Sequence, residues 1–365
     1  MGICFAANMF TLFLFYEILT LSTYPLVAHK GDPLSVSGAR VYLGILLGTS
    51  IVFLLTGLIW TYALVGHLDF VAGGILNGKI AVGLLPILLG LYAFGIGKAA
   101  LMPLHRWLPA AMVAPTPVSA LLHAVAVVKA GVFTMLKVGV YIFGIDFLAE
   151  SGASQWLIWL AAISIILASL FALMQNNLKK RLAYSTVSQL SYVTLAMALA
   201  TPVAAMGGGM QIAMHAFGKI ALFMCAGAIY VVTKKTDVSE LSGLGRKMPI
   251  TFIIFAIASF SIIGLPPFGG SWPKFLLILG AVDTGYFSII AVLMISSLLN
   301  VAYLLPIVGR GFFVKSKDGL DLKLIHEAPL LCWLPAAIAA GTCLLLFFYA
   351  GLIQDFLRPF AQGSI

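Results

Sequence analysis

The stretch IAVGLLPILLGLYAFGIGKAALMP, residues 80–103, decides the architecture. It is apolar over the roughly 20 residues that an α-helix needs to cross a bilayer. It carries one charge, Lys98, and stops at Pro103, where a helix cannot continue undisturbed. A lysine in such a run is costly in lipid, so the segment must turn Lys98 toward protein or a water-filled path.

Similar runs fill the rest of the chain. Of its 365 residues, 62% are hydrophobic and only 9% are charged, against about 25% charged in an ordinary soluble domain. Mean hydropathy is +1.09. One core cannot hold that much apolar surface, and the excess must face lipid. Soluble enzymes, nucleic-acid binders and secreted disulfide scaffolds are excluded. The chain reads as an all-α polytopic membrane protein, a single membrane domain over 1–365 with about ten transmembrane helices. The spans fall near 2–27, 40–64, 80–102, 116–145, 155–176, 180–200, 207–232, 249–282, 286–309 and 330–352. The polar connections 233–248 and 310–329 are too short to fold alone.

Orientation follows from the 21 Lys and Arg residues. Connections after odd-numbered spans hold fourteen of them, including Lys30, Arg40, Arg106, Lys179, Lys180, Arg181, Lys234, Lys235, Lys317 and Lys323. The opposite side holds only Lys79 and Arg358. The positive-inside rule puts the first side in the cytoplasm and both termini outside a cell membrane. The net charge of +9 therefore speaks of topology, not of nucleic acid. Cys4, Cys225, Cys332 and Cys343 are scattered without ligand spacing and read as buried thiols, with no disulfide framework and no metal site. No cleavable signal peptide is visible, because the opening stretch lacks a basic segment.

The ionisable residues inside spans are Glu17, Lys98, His123, Lys129, Lys137, His215, Lys219 and Lys274. Five lysines at about 3 kcal/mol each would together exceed a typical folding free energy. Such residues face the protein interior and usually mark ion pathways. Burial favours a neutral lysine and a nearby anion restores its charge, a property that suits a proton relay. Lys137, near the end of its span, snorkels or joins the relay. Gln211, His215 and Lys219 recur every fourth residue and share one stripe of the seventh span. His123 and Lys129 are six apart, so they point to different faces and link two neighbouring helices. The sixth span carries Tyr184, Ser185, Thr186, Ser188, Gln189, Ser191 and Tyr192, which line water or bond between helices. Two spans are broken, one at Pro103 and one at Gly264, Pro266, Pro267 and Pro273, and each break carries a lysine, Lys98 or Lys274. Paired breaks of this kind point to ion sites in two related half-channels.

The run Gly97-Lys98-Ala99-Ala100-Leu101-Met102-Pro103-Leu104-His105-Arg106-Trp107-Leu108-Pro109, continued by Ala114-Pro115-Thr116-Pro117 to His123, closely resembles a known signature. It is that of the antiporter-like subunits of respiratory complex I, group 4 hydrogenases and Mrp-type cation/proton antiporters. Leu178–Gln189 and His215-Ala216-Phe217-Gly218-Lys219 resemble two further motifs of that family. The resemblance implies a fourteen-helix fold with two inverted repeats, each with one broken helix. Here 1–145 would be the remainder of the first repeat, 146–310 the second, and 311–365 a loop and terminal helix. It also implies that Glu17 pairs with Lys98, that His123 and Lys129 follow, that His215 and Lys219 form the central axis, and that Lys274 ends the second half-channel. Lys129 within Ala126–Phe133 makes the D-type subunit of Mrp antiporters the best match. The family has about four helices ahead of the one bearing Glu17, so the resemblance implies a chain lacking its first helices.

The function expected is a proton-conducting subunit of a multisubunit monovalent cation (Na+)/proton antiporter. Its partners would be other membrane subunits, protons, Na+ and the lipid bilayer. The alternative is a proton-pumping subunit of a hydrogenase- or complex I-like redox complex. A further alternative is a truncated, non-conducting structural piece. The chain shows no cysteine cluster, flavin motif or nucleotide loop, so no cofactor and no catalytic residue is expected, and any redox chemistry would belong to another subunit. No nucleophile–base pair or zinc motif marks an intramembrane hydrolase.

Overall fold

The computed structural model describes residues 1–315 and 326–363. Lys317 and Lys323, counted above for orientation, lie outside the described residues. The principal helices are α1 (Met9–Val27), α2 (Pro33–Val65), α3 (Val82–Gly95), α4 (Thr116–Phe143), α5 (Gln155–Met174), α6 (Leu178–Ala198), α7 (Pro202–Thr233), α8 (Pro249–Ile263), α9 (Ser271–Asp283), α10 (Phe287–Phe313), α11 (Leu330–Phe348) and α12 (Ala350–Ala361). No strand forms among the described residues; isolated bridges join Asn8 to Asp69 and Asn177 to Asp237.

Local chemistry starts and stops these helices. Asn8, Asp32, Asn177 and Thr201 each cap the helix that follows, accepting the backbone N–H three residues on. Pro33 and Pro202 then occupy first-turn positions, where a missing N–H costs nothing. Gly66 ends α2 and Gly264 ends α8, both with φ +87°.

The ten expected spans correspond to α1 through α11, with the broken eighth span split into α8 and α9. Several boundaries move. The first span does not run from residue 2: a short turn, Gly2–Phe5, precedes α1, which begins at Met9 after the Asn8 cap. The second starts at Pro33, so Arg40 sits on the helix rather than in a connection. The third ends at Gly95, well before Pro103. From Ile96 to Arg106 the chain crosses the protein without a regular α-helix, and Ala100 adopts φ +54°. The break is therefore set by packing around Gly95 and Gly97, not by the proline. A Cβ on Gly95 would strike the Leu54 backbone, and one on Gly97 would strike Thr49. The tail after the last span is also helical. In α12, Leu352 and Phe356 are exposed while Leu357 packs on Gly209 and Phe360 on Tyr141.

Hydrophobicity is arranged inside out. α6 is among the least apolar of the helices, yet nearly all of it is buried, between α5 and α7. The peripheral helices turn Ile18, Ile59, Ile163, Leu298 and Ile338 outward. Polar side chains are tolerated where lipid does not reach, so the most polar helix is found in the middle. Seven helices are long and apolar enough to span a membrane by themselves; α3, α6 and α8 are not.

Gly131 on α4 lets the non-helical crossing lie directly against it, since a Cβ there would collide with the Lys98 carbonyl carbon and the Ala99 nitrogen. Overpacking of that kind costs about 1–3 kcal/mol. Gly131→Val should lower the thermal midpoint of the purified protein by several degrees in detergent. Gly44→Ala, which faces open space, should not.

Candidate functional site

Lys98 is completely buried in the crossing that follows α3. Its Nζ donates to the Tyr16 carbonyl at 2.7 Å and to Thr20 Oγ1 at 2.6 Å, and lies 3.0 Å from the centroid of the Tyr16 ring. Its backbone N–H, free because the helix has ended, donates to the Tyr16 hydroxyl at 3.0 Å. Tyr16 and Thr20 are four residues apart and share one face of α1. Glu17 is one residue on and turns about 100° away. The expected ion pair is accordingly not in contact: among the described residues Glu17 makes no ion pair within 4 Å, and both its carboxylate oxygens are buried without a hydrogen-bond partner. It lies beside Ser50 and within electrostatic reach of Lys98.

The central group sits between α4 and α7. Lys129 Nζ and His215 Nδ1 are 2.6 Å apart. With an ammonium donating, the imidazole accepts through Nδ1 and carries its proton on Nε2, which is buried without a partner. His123 is fully buried, has no partner at either ring nitrogen, and stacks at 5.0 Å on Phe223 of α7. His123 and Lys129 thus both meet α7, contrary to the expectation of different faces. A π-helical turn over Leu121–Val125 and the distorted Ala126 (φ −100°, ψ −77°) rotate one against the other. His123, Lys129, His215 and Lys219 are within electrostatic reach of one another.

Gln211, His215 and Lys219 do share one buried stripe of α7. Gln211 donates to Gln189 at 2.8 Å. Lys219 Nζ donates to Ser185 Oγ at 2.7 Å and to the Leu182 carbonyl at 3.2 Å. Ser185 also accepts from the Tyr303 hydroxyl at 2.8 Å, and that hydroxyl is bonded in turn to Asn300. At the far end, Lys274 Nζ donates to the Ile263 carbonyl at 2.6 Å, at the C-terminus of α8, and to Ser297 Oγ at 3.0 Å. The Tyr192 ring is 5.3 Å from it, and Tyr192 neighbours Ser296, Ser297 and Tyr303. Hydroxyls therefore bridge most of the way from Lys219 to Lys274. Lys98 and Lys129 are joined only by backbone packing at Gly131.

Of the expected break residues, Gly264, Pro266 and Pro267 lie in the gap between α8 and α9. Pro103 lies inside the crossing rather than at its start, and Pro273 sits in the first turn of α9, where proline is tolerated. Lys137 does not reach freely for solvent: it donates to the Ala6 carbonyl at 2.9 Å over the Phe70 ring. Cys225 and Cys343 are buried, but Cys4 is exposed and Cys332 half-buried, a correction to the expectation for all four. In the sixth span Ser185, Ser188 and Gln189 bond to other helices, whereas Tyr184 packs against His105 and Phe171. Ser296, Ser297, Asn300 and Tyr303 are not among the residues expected from the sequence. They form a polar stripe at three- and four-residue spacing on an apolar helix, the same signal that marked Gln211, His215 and Lys219.

A family model described as NADH:quinone oxidoreductase/Mrp antiporter, transmembrane, matches residues 6–300. NADH-quinone oxidoreductase subunit N of Desulforudis audaxviator is 34% identical over 86% of this chain and 62% of its own length. A Na(+)/H(+) antiporter subunit from Bacillus subtilis is 29% identical over 100% of this chain and 48% of its own length. The chain thus spans less than two thirds of these curated relatives. In the solved Mrp complex from Dietzia sp. DQ12-45-1b, one chain superposes with a TM-score of 0.86 at 23% identity, over 99% of this chain and 74% of that one; this likeness is one of fold.

Removing an acceptor from a buried, hydrogen-bonded cation costs about 1–3 kcal/mol. Ser185→Ala should therefore destabilise the protein measurably in a detergent melt, because Lys219 keeps only the Leu182 carbonyl. Restoring a hydroxyl with Ser185→Thr should recover most of the loss.

Proposed function

The chain belongs to the NADH:quinone oxidoreductase/Mrp antiporter transmembrane family, and we propose that it conducts protons as a membrane subunit of a multisubunit Na+/proton antiporter. One observation carries this reading: the buried Lys129–His215 contact at 2.6 Å, flanked by further buried titratable groups from Glu17 to Lys274. Two cations cannot share that contact, so a proton arriving on one partner drives a proton from the other. In the proposed path protonation moves from Glu17 and Lys98 to His123, Lys129 and His215, then to Lys219 and Lys274. Coulomb coupling links each step to the next, and water fills the gap between Lys98 and Lys129. The basic connections face the cytoplasm and the termini face outward. The two broken-helix lysines stand at corresponding places in two inverted repeats, and the other membrane subunits complete the cation path. The residues around Lys129 favour the D-type subunit of Mrp antiporters within the family. Sodium as the cation rests on the name of the Bacillus subtilis relative.

A second reading, a pumping subunit of a redox complex, draws on the 34% identity to a protein named NADH-quinone oxidoreductase subunit N. The same relay would serve, with the redox centres in other subunits. Purifying the native complex and identifying its subunits separates the two readings.

In the complete complex, Lys98→Ala and Glu17→Ala should each abolish cation/proton exchange in vesicles while assembly proceeds. Wild-type exchange in both variants would sink the relay. Tyr303→Phe, which keeps the ring and removes the hydroxyl, should slow exchange about tenfold, the cost of one lost buried hydrogen bond.

A further inference from the structure

A groove of about 950 Å³ opens between the beginnings of α2, α4, α6 and α11 and the end of α7. It does not include the relay residues. Its floor is apolar, with Leu121, Val125 and Val231 exposed along it and Ile220 half-buried. Its rim carries Lys30, Lys179 and Lys235. All three belong to the connections on the basic side of the chain. Lys30 and Lys179 are within electrostatic reach of each other. Lys179 Nζ donates to the Ala114 carbonyl at 2.6 Å, a neutral acceptor that leaves its cationic charge uncompensated. Lys235 Nζ donates to the Glu240 carbonyl at 3.2 Å.

Asp32 is the single acidic residue lining the groove. It accepts from the Ser35 backbone N–H at 2.6 Å as the cap of α2. Hydrogen bonds from Ser35 hold its carboxyl below the usual carboxylate range, so the lining sets one fixed negative charge against three lysines. A cationic rim above an apolar trench at a membrane boundary complements one kind of molecule: an anion with hydrocarbon tails. A free phosphate would satisfy the rim and leave the trench wet. A zwitterionic lipid would fill the trench and leave the rim in excess.

We propose that this groove is a binding site for an anionic phospholipid, with its phosphate held by Lys30, Lys179 and Lys235 and its acyl chains lying along Leu121, Ile220 and Val231. The occupant belongs to the leaflet on the basic side, where basic pockets between membrane helices hold anionic headgroups. The site is independent of the proton relay and stands whichever complex the chain serves.

The test is lipid retention by the purified native complex, read by native mass spectrometry after exchange into detergent containing phosphatidylglycerol or phosphatidylcholine. The wild type should retain phosphatidylglycerol about tenfold better, and Lys30→Gln, Lys179→Gln and Lys235→Gln together should erase that preference. Equal retention of both lipids, or a triple variant that keeps the preference, overturns the proposal. Inorganic phosphate in excess should leave retention unchanged; displacement by phosphate alone would make this a free-anion site and overturn it as well. The wild type gives a second measurement that needs no folded variant. A photoactivatable phosphatidylglycerol should cross-link to residues 112–125 and 220–231. Cross-links confined to other regions, or another polypeptide found filling the groove in the complex, defeat the assignment.

Discussion

An ammonium group inside a hydrocarbon slab needs acceptors at hydrogen-bond distance, and that need organises this molecule. Each membrane lysine solves it differently. Lys98 takes a carbonyl and a hydroxyl from the neighbouring α1. Lys274 takes the carbonyl left free where α8 stops, at the negative end of that helix's dipole. Lys219 takes a serine hydroxyl and a helix carbonyl from α6. Lys129 takes an imidazole nitrogen. Irregular backbone, polar helices and small residues follow from these requirements. The non-helical crossing exists where Lys98 must be presented, and α6 can be polar because it serves the lysine of α7.

The axis is electrically lopsided. Apart from Glu17 and the tyrosines, its titratable groups are all bases, and they are packed closely enough for two neighbouring charges to repel by several kcal/mol at an effective dielectric near 20. Such a row cannot be fully charged. It holds a small number of protons whose positions depend on one another, which is the physical content of the proposed coupling. The single carboxylate, unpartnered at both oxygens, is the one group on the axis that brings charge of the opposite sign. Its protonation would therefore be felt along the row.

Much of this could be read from residues alone, and the reason is energetic. Charges in apolar runs are so costly that Lys98, Lys129, His215, Lys219 and Lys274 announce themselves, and the helical period correctly aligned Gln211, His215 and Lys219 on one face. What stayed hidden was whatever depends on small rotations or on ordinary residues in partner roles. One residue of helical twist separates Tyr16 from Glu17 and decides that Lys98 meets the first and not the second. A single π-helical turn moves His123 onto the same partner helix as Lys129. Tyr16, Thr20 and Ser297 are unremarkable in sequence and gain their roles only when another helix brings a lysine to them. The break near Lys98 was visible through Pro103, but its true start at Gly95 is a matter of close packing against Leu54, which no local pattern encodes.

The burial of α6 has a consequence for how proteins of this kind are sorted by topology. A helix with Lys179, Lys180 and Arg181 directly after its first residue, and a row of hydroxyls beyond them, falls outside the hydropathy that marks a crossing. Counting crossings is a matter of odd and even. Omitting one helix from the middle of the chain reverses the assigned side of everything after it, so Lys234, Lys235, Arg246 and Lys247 would be placed with the sparsely charged face. The asymmetry of basic residues would then partly cancel. A weak charge bias in such a chain is thus a sign that a crossing has been overlooked, and the overlooked crossing is the one at its centre.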